Sequence, residues 1–306
     1  MTHSDDKSDK NSCSSCSAQG STCGHQHEHH GGEEHFQEAL LRATLNQIGH
    51  KLLVMSGKGG VGKSSVAVSL ALTLARQGYK VGLMDVDLHG PNVLRMLGLS
   101  QPLAGGSSPR LFYVPEGIDN LKVVSIEAFM PDRESAVIWR GPMKHQAIRQ
   151  FVSDIDWGKL DYLVIDSPPG TGDEPLSVVQ TIPEAQAIIV TTPQEVSLAD
   201  VRKSIDFCRK TNLKILGLLE NMGRLVCPDC GKEIPLFASG GGQRLATLVD
   251  VPFLGSLPFD PQIVESADQG RLSQVKPEAS PFLQEFAQVV EKLVAATPKS
   301  HSPQVS

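Results

Sequence analysis

The sequence predicts an α/β protein built on a doubly wound, mostly parallel sheet. Three observations carry this. Short apolar runs at residues 51–55, 80–84, 121–125, 162–165, 187–191, 214–219 and 253–257 read as strands, and most are separated by stretches of helical periodicity such as 143–152 and 197–211. A glycine-rich turn joins the first run directly to a helical segment at 65–77, the strand-turn-helix order of a phosphate-binding loop. The chain has 306 residues with 40% hydrophobic content, enough for one large domain of about 250 residues plus tails.

Residues 1–35 contain no Val, Ile, Leu, Phe, Tyr or Trp, so they cannot offset their ordering entropy by burial and are expected to form a disordered Cys/His-rich tail. The folded domain is placed at 36–297, opening with an amphipathic helix at 36–47, and residues 298–306 are read as a flexible end. The stretch 101–117 is rich in Gly, Pro and Ser and reads as a surface insertion. At 281–296, Phe282, Phe286, Val289, Val290 and Leu293 share one helical face, a core-packing stripe. No internal repeat is present.

Composition narrows the class further. The formal charge is −6, and residues 1–35 carry −4 of it, Lys7 and Lys10 standing against Asp5, Asp6, Asp9, Glu28, Glu33 and Glu34. Nothing in this balance marks a nucleic-acid footprint. No run approaches 18 apolar residues and the first residues are polar and acidic, so neither a membrane span nor a secretory signal is expected, and cytoplasmic residence is the default.

Val54-Met55-Ser56-Gly57-Lys58-Gly59-Gly60-Val61-Gly62-Lys63-Ser64-Ser65 follows G-x-x-x-x-G-K-S between a strand and a helix. Backbone N–H groups of Gly60 to Lys63 are expected to point at nucleotide phosphates, aided by the helix dipole, with Lys63 neutralising the β and γ phosphates and Ser64 holding magnesium. Gly57 through Ser65 are therefore the candidate nucleotide site. A glycine turn followed by lysine can arise by chance, but here it sits in the right structural order. Lys58 adds a second lysine inside the loop, and G-K-G-G-V-G-K-S resembles the deviant Walker A loop of the MinD, ParA and nitrogenase iron protein superfamily. The resemblance implies an ATP-dependent homodimer in which Lys58 reaches the partner's nucleotide.

Two acids, Asp85 and Asp87, follow the second predicted strand. By the same resemblance Asp87 orients or deprotonates the attacking water and Asp85 belongs to the magnesium shell; the plainer alternative is that both cap the next helix. Tyr162-Leu163-Val164-Ile165-Asp166 is an apolar strand ending in an acid, the Walker B arrangement, and makes Asp166 a magnesium group. The following Ser167-Pro168-Pro169-Gly170-Thr171-Gly172-Asp173 resembles a switch II segment, or is an ordinary Pro/Gly turn. Asn221, after a strand, resembles the superfamily's adenine-reading asparagine.

Of six cysteines, Cys208 lies on the apolar stripe of a helix and reads as a buried structural thiol. Cys227 and Cys230 form a C-x-x-C, yet a tetrahedral metal or a 4Fe-4S cluster needs four ligands and no second pair follows. Two copies across a two-fold axis supply four. Half of a zinc ribbon, a nickel site and a dithiol redox pair are the other readings. Together, Glu220-Asn221-Met222, Cys227-Pro228-Asp229-Cys230-Gly231, Gly240-Gly241-Gly242 and Leu257-Pro258-Phe259-Asp260 resemble the Mrp family of iron–sulfur cluster carriers over residues 36–295.

That family resemblance implies a P-loop ATPase that holds a labile 4Fe-4S cluster at its homodimer interface and transfers it to apo iron–sulfur clients. Cys227 and Cys230 match the cluster ligands, and Lys58, Lys63, Ser64, Asp87 and Asp166 the site for ATP and Mg. Cys13, Cys16 and Cys23 resemble, incompletely, the extra cluster of a eukaryotic cytosolic branch that uses four cysteines; a histidine from His25, His27, His29 or His30, another chain's thiol, or nothing completes the set. The histidine run can equally store zinc or nickel, or be a solvated tail. Two competing functions remain: a nickel-insertion ATPase and a MinD- or ParA-like positioning ATPase. The latter's membrane form needs a basic amphipathic helix that residues 281–296 do not supply.

Overall fold

The computed structural model describes residues 30–87, 90–100, 112–129, 141–227, 230–237 and 240–298. Seven strands form one sheet: β1 (Ile48–Ser56), β2 (Val81–Asp85), β3 (Leu121–Ser125), β4 (Leu160–Asp166), β5 (Gln186–Thr191), β6 (Lys214–Glu220) and, after a separate hairpin of β7 (Arg224–Val226) and β8 (Glu233–Pro235), β9 (Phe253–Ser256). Their order is β3-β2-β4-β1-β5-β6-β9, and every pairing in this sheet is parallel. The helices are α1 (His30–Asn46), α2 (Lys63–Arg76), α3 (Val93–Met96), α4 (Gly141–Ser153), α5 (Asp173–Thr181), α6 (Glu195–Lys210), α7 (Gly241–Leu248), α8 (Pro261–Asp268) and α9 (Pro281–Ala296).

Both faces of the sheet are covered, which is why its strands are apolar runs. In β1, Leu52 and Val54 enter a core shared with α2, α8 and α9, while Leu53 and Met55 enter one shared with α1, α4, α5 and α6. The stripe at 281–296 packs as expected, with Phe282 and Phe286 stacked 5.4 Å apart. Ser280 caps α9 by accepting from the Leu283 N–H, Asp260 caps α8 by accepting from the Gln262 N–H, and the Ser280 hydroxyl donates to Asp260 at 2.5 Å, locking the two helix starts together.

Each expected strand forms: β1 and β4 are longer at both ends, β5 and β6 are longer by one residue, β2 is shifted by one, β3 keeps its bounds and β9 ends one residue early. Three local readings change. The first helix begins at His30, so its first turns fall on residues read as tail. Phe112 and Tyr113, read as part of an insertion, are buried, and Tyr113 makes an antiparallel bridge to Val123. The β7–β8 hairpin has no periodic signal, because three-residue strands are too short to show one.

Candidate functional site: a phosphate cleft and a two-thiol hairpin

Strand order places the chemistry. Sequence neighbours diverge to either side of β1, so the carboxyl ends of β1, β4 and β2 converge at one crevice. Parallel register sets Val54 opposite Asp166 and Asp85 opposite Asp166. The loop after β1 therefore faces both acidic segments across one cleft of about 430 Å³, lined by Lys58, Gly59, Gly60, Gly62, Lys63, Ser64, Ser65 and Asp87 among others.

Gly62 sits at φ 80°, the left-handed backbone that starts α2, and a Cβ there would collide with the Asn221 amide. Gly57 meets the backbone of Asp200 so closely that no Cβ fits. Gly57 and Val61 thus face the protein, while the other loop residues of the predicted site line the cleft. Lys63 is 7% exposed; its Nζ lies 2.5 Å from Asp166 Oδ1, 3.4 Å from Ser64 Oγ and 3.9 Å from Asp87 Oδ2. Lys58 also lines the cleft and donates to Gln194 Oε1 at 3.3 Å.

The two acids after β2 part company. Asp87 lines the cleft, whereas Asp85 is fully buried and does not. Asp85 Oδ1 accepts from the Asp87 N–H at 3.1 Å, and Oδ2 accepts from Ser125 Oγ at 3.1 Å and the Val93 N–H at 3.3 Å. These bonds shape the turn that presents Asp87. Burial, and then the neighbouring Asp166 carboxylate, push the Asp85 carboxyl up to about 8.

Asn221 does not line the cleft itself, and its amide lies against Gly62, which does. Its Nδ2 donates to the Val61 carbonyl at 3.0 Å behind the loop, and its Oδ1 accepts from the Met222 N–H at 3.0 Å. The far cleft wall consists of residues that sequence reasoning missed: Asn92, Arg95 and Met96 near α3, and Val264, Ala267 and Asp268 on α8. Only the tertiary fold brings α8 there, so no local signal marks it.

Cys227 and Cys230 stand on the β7–β8 hairpin, with the Cys227 N–H donating to the Lys232 carbonyl and the Gly231 N–H to the Cys227 carbonyl. Neither is in a disulfide, and among the described residues no cluster of three or more His, Cys, Asp or Glu could hold a metal ion. Within one chain the pair therefore offers two thiol ligands. Cys208 is buried beside Met55, its thiol pushed up to about 12 by burial, as a structural thiol should be. Cys13, Cys16, Cys23 and the nearby histidines lie outside the described residues. No described helix is long and apolar enough to cross a membrane.

Residues 47–294 match the family described as ParA, NUBPL iron-transfer P-loop NTPase. The chain is 46% identical over 268 residues to the iron-sulfur cluster carrier protein of Methanocaldococcus jannaschii, covering 84% of this chain and 88% of the relative. It is 43% identical over 286 residues to the cytosolic Fe-S cluster assembly factor CFD1 of Saccharomyces cerevisiae, covering 86% and 95%. Among solved structures, an Archaeoglobus fulgidus nucleotide-binding protein in complex with ADP superposes with TM-score 0.70 at 36% identity, covering 81% of this chain and 96% of the other. The cell division ATPase MinD of Pyrococcus furiosus shares the fold, with TM-score 0.59 at 24% identity and coverage of 81% and 99%.

Proposed function

This chain belongs to the NUBPL iron-transfer P-loop NTPase family, and from that premise we propose that it is an ATP-hydrolysing carrier of a labile 4Fe-4S cluster. In this reading two copies hold the cluster between their Cys227 and Cys230 pairs and pass it to apoproteins. The observation that carries the proposal is one fold bearing both a phosphate cleft and a hairpin with half of a four-thiolate site. The M. jannaschii relative, an iron-sulfur cluster carrier protein, and the yeast relative, a cytosolic Fe-S cluster assembly factor, support the cargo. Cytosolic residence belongs to the proposal as well, in keeping with the yeast relative's name and with thiols that must stay reduced.

The residues divide the work as follows. Backbone N–H groups of Gly60 to Lys63 receive the phosphates, and Lys63 swings from Asp166 to neutralise their charge. Asp166 Oδ2 is buried without a hydrogen-bond partner and Ser64 Oγ lies beside Lys63, a donor pair that fits a magnesium ion. Magnesium would supply Lewis-acid stabilisation of the phosphate charge. Asp87 holds the attacking water, Asp85 fixes the Asp87 turn from beneath, and Lys58 leaves Gln194 to reach the nucleotide of the second copy. Residues 36–297 form the carrier domain, with Cys13, Cys16 and Cys23 as an accessory site.

The test is anaerobic reconstitution of a chain whose tail cysteines are changed to Ser, followed by iron and sulfide counting. About four irons per dimer and a brown chromophore are expected, both lost in a Cys227→Ser, Cys230→Ser double variant. Retention of iron by that double variant refutes the cysteine assignment, and a colourless protein that takes up nickel instead favours a nickel carrier.

A further inference from the structure

Asn221 is where the phosphate loop and the turn leading into the cysteine hairpin touch the same side chain. It follows β6 directly, is 4% exposed, and is pinned at its own N–H by the Thr191 carbonyl at 2.7 Å. One side of its amide donates to the Val61 carbonyl, inside the loop and one residue before Gly62. The other side accepts from the Met222 N–H and so supports Met222 at φ 59°, a left-handed turn that a methionine seldom adopts. That turn leads into β7, Arg224–Val226, and Cys227 follows the strand directly, five residues after Met222. Gly62 leaves just the space the amide needs, and the Met222 methyl end lies against the same spot.

Downstream the path is stiff. The Gly223 N–H donates to the Leu257 carbonyl at 2.9 Å and the Phe259 N–H to the Arg224 carbonyl at 2.6 Å. Arg224 pairs with Glu233 across the hairpin and with Glu285 on α9. Upstream, Glu220 is held at both carboxylate oxygens, by the Gly242 N–H at 2.7 Å and Ser256 Oγ at 2.8 Å. The segment between has few ways to move except by the turn at Asn221 and Met222.

We propose that Asn221 is a positioning residue that relays the state of the phosphate loop to the cysteine hairpin. When phosphates draw the N–H groups of Gly60 to Lys63 inward and Lys63 leaves Asp166, the Val61 carbonyl moves with its peptide plane. A buried amide that loses its acceptor is strongly disfavoured, so the Asn221 side chain follows, and the Met222 turn follows it. The sequence resemblance assigns this residue to adenine; its hydrogen bonds tie it in addition to the Val61 carbonyl and the Met222 N–H, and the relay rests on these. The relay rests on the proposed pairing of a nucleotide site with a thiol site, but not on which metal or cluster the thiols carry.

The test uses the full metal-free chain under reducing, anaerobic conditions. Alkylation of Cys227 and Cys230 by iodoacetamide is followed peptide by peptide, with and without saturating Mg-ATP or its non-hydrolysable β,γ-imido analogue, at equal nucleotide occupancy and oligomeric state. In the wild type, nucleotide is expected to change these rates about fivefold or more, while buried Cys208 stays inert. Asn221→Asp keeps the acceptor for the Met222 N–H but cannot donate to Val61, and Asn221→Ala loses both bonds; each is expected to abolish the response at full occupancy. A full response in Asn221→Asp overturns the relay, as does a wild type that binds nucleotide without any change at Cys227 or Cys230. A wild type that binds no nucleotide overturns the ATPase reading, and the relay with it.

Discussion

At the scale of single residues, the cleft is held by charge: the Lys63 ammonium pairs with Asp166, which is 1% exposed. Lys63→Ala is expected to lower hydrolysis about 100-fold or more. It should also destabilise the nucleotide-free protein by about 3 kcal/mol, because it strands a buried carboxylate. Magnesium, by replacing the lost cation at Asp166, should restore part of that stability in urea denaturation; wild-type turnover in the variant would remove Lys63 from the phosphate site. Asp85 sets a pH dependence. Its folded carboxyl is raised to about 8 against a reference of 3.8, so the folded chain binds this proton more tightly than the unfolded chain. The stability it contributes is full at low pH and is lost as pH rises from about 4 towards 8. The urea midpoint of the nucleotide-free protein is expected to carry this downward contribution between about pH 5 and pH 8, and Asp85→Asn should flatten it; an unchanged slope in the variant would place the titration elsewhere.

At the scale of elements, the β7–β8 hairpin is the part most exposed to perturbation, since three-residue strands hold few ladder bonds. Arg224 ties it down through Glu233 at 2.8 Å and through Glu285, whose carboxyl burial shifts upward. The pairs are partly exposed, so Arg224→Ala should weaken local closure by about 1 kcal/mol or less. The readout is hydrogen exchange at the Cys227 and Gly231 amides, expected to quicken about fivefold while β1 and β5 stay protected. Equal rates in wild type and variant would show that backbone pairing alone holds the thiols. The hairpin also shows why part of the site escaped sequence reading. The C-x-x-C spacing is legible in any conformation, but the short strands that present it carry no periodicity, and Leu225 finds its neighbour Phe259 only in the folded chain.

At the scale of the whole molecule, the proposed dimer is testable through Lys58. Within one chain this lysine meets Gln194 at the edge of its own cleft. If it serves the partner's nucleotide, a mixed dimer of Lys58→Ala and Lys63→Ala chains assembles one complete site, from the Lys63 of one copy and the Lys58 of the other. Isolated mixed dimers are expected to recover about half the wild-type rate, and an equal mixture of the two chains about a quarter per dimer, although each homodimer is nearly inactive. A mixed dimer with no recovery assigns Lys58 to its own nucleotide.

The sequence by itself determined the α/β class, the seven strands of the main sheet with the helices near 36–47, 65–77, 143–152, 197–211 and 281–296, the phosphate loop at 57–65, the acid at Asp166 and the paired thiols at Cys227 and Cys230. These are local statements: strand and helix periods, and motifs whose members lie within a dozen residues, survive without knowledge of the fold. The tertiary structure decided which of two acids two residues apart faces the cleft, because the registration of β2 with β3 and β4 buries Asp85 against Ser125 and Asp166. It decided that Asn221 lies behind the phosphate loop and that α8 closes its far side. Those facts depend on contacts between segments separated by 40 residues, as Asp85 and Ser125 are, or by 160, as Val61 and Asn221 are, and a long-range contact leaves no period in the sequence around it.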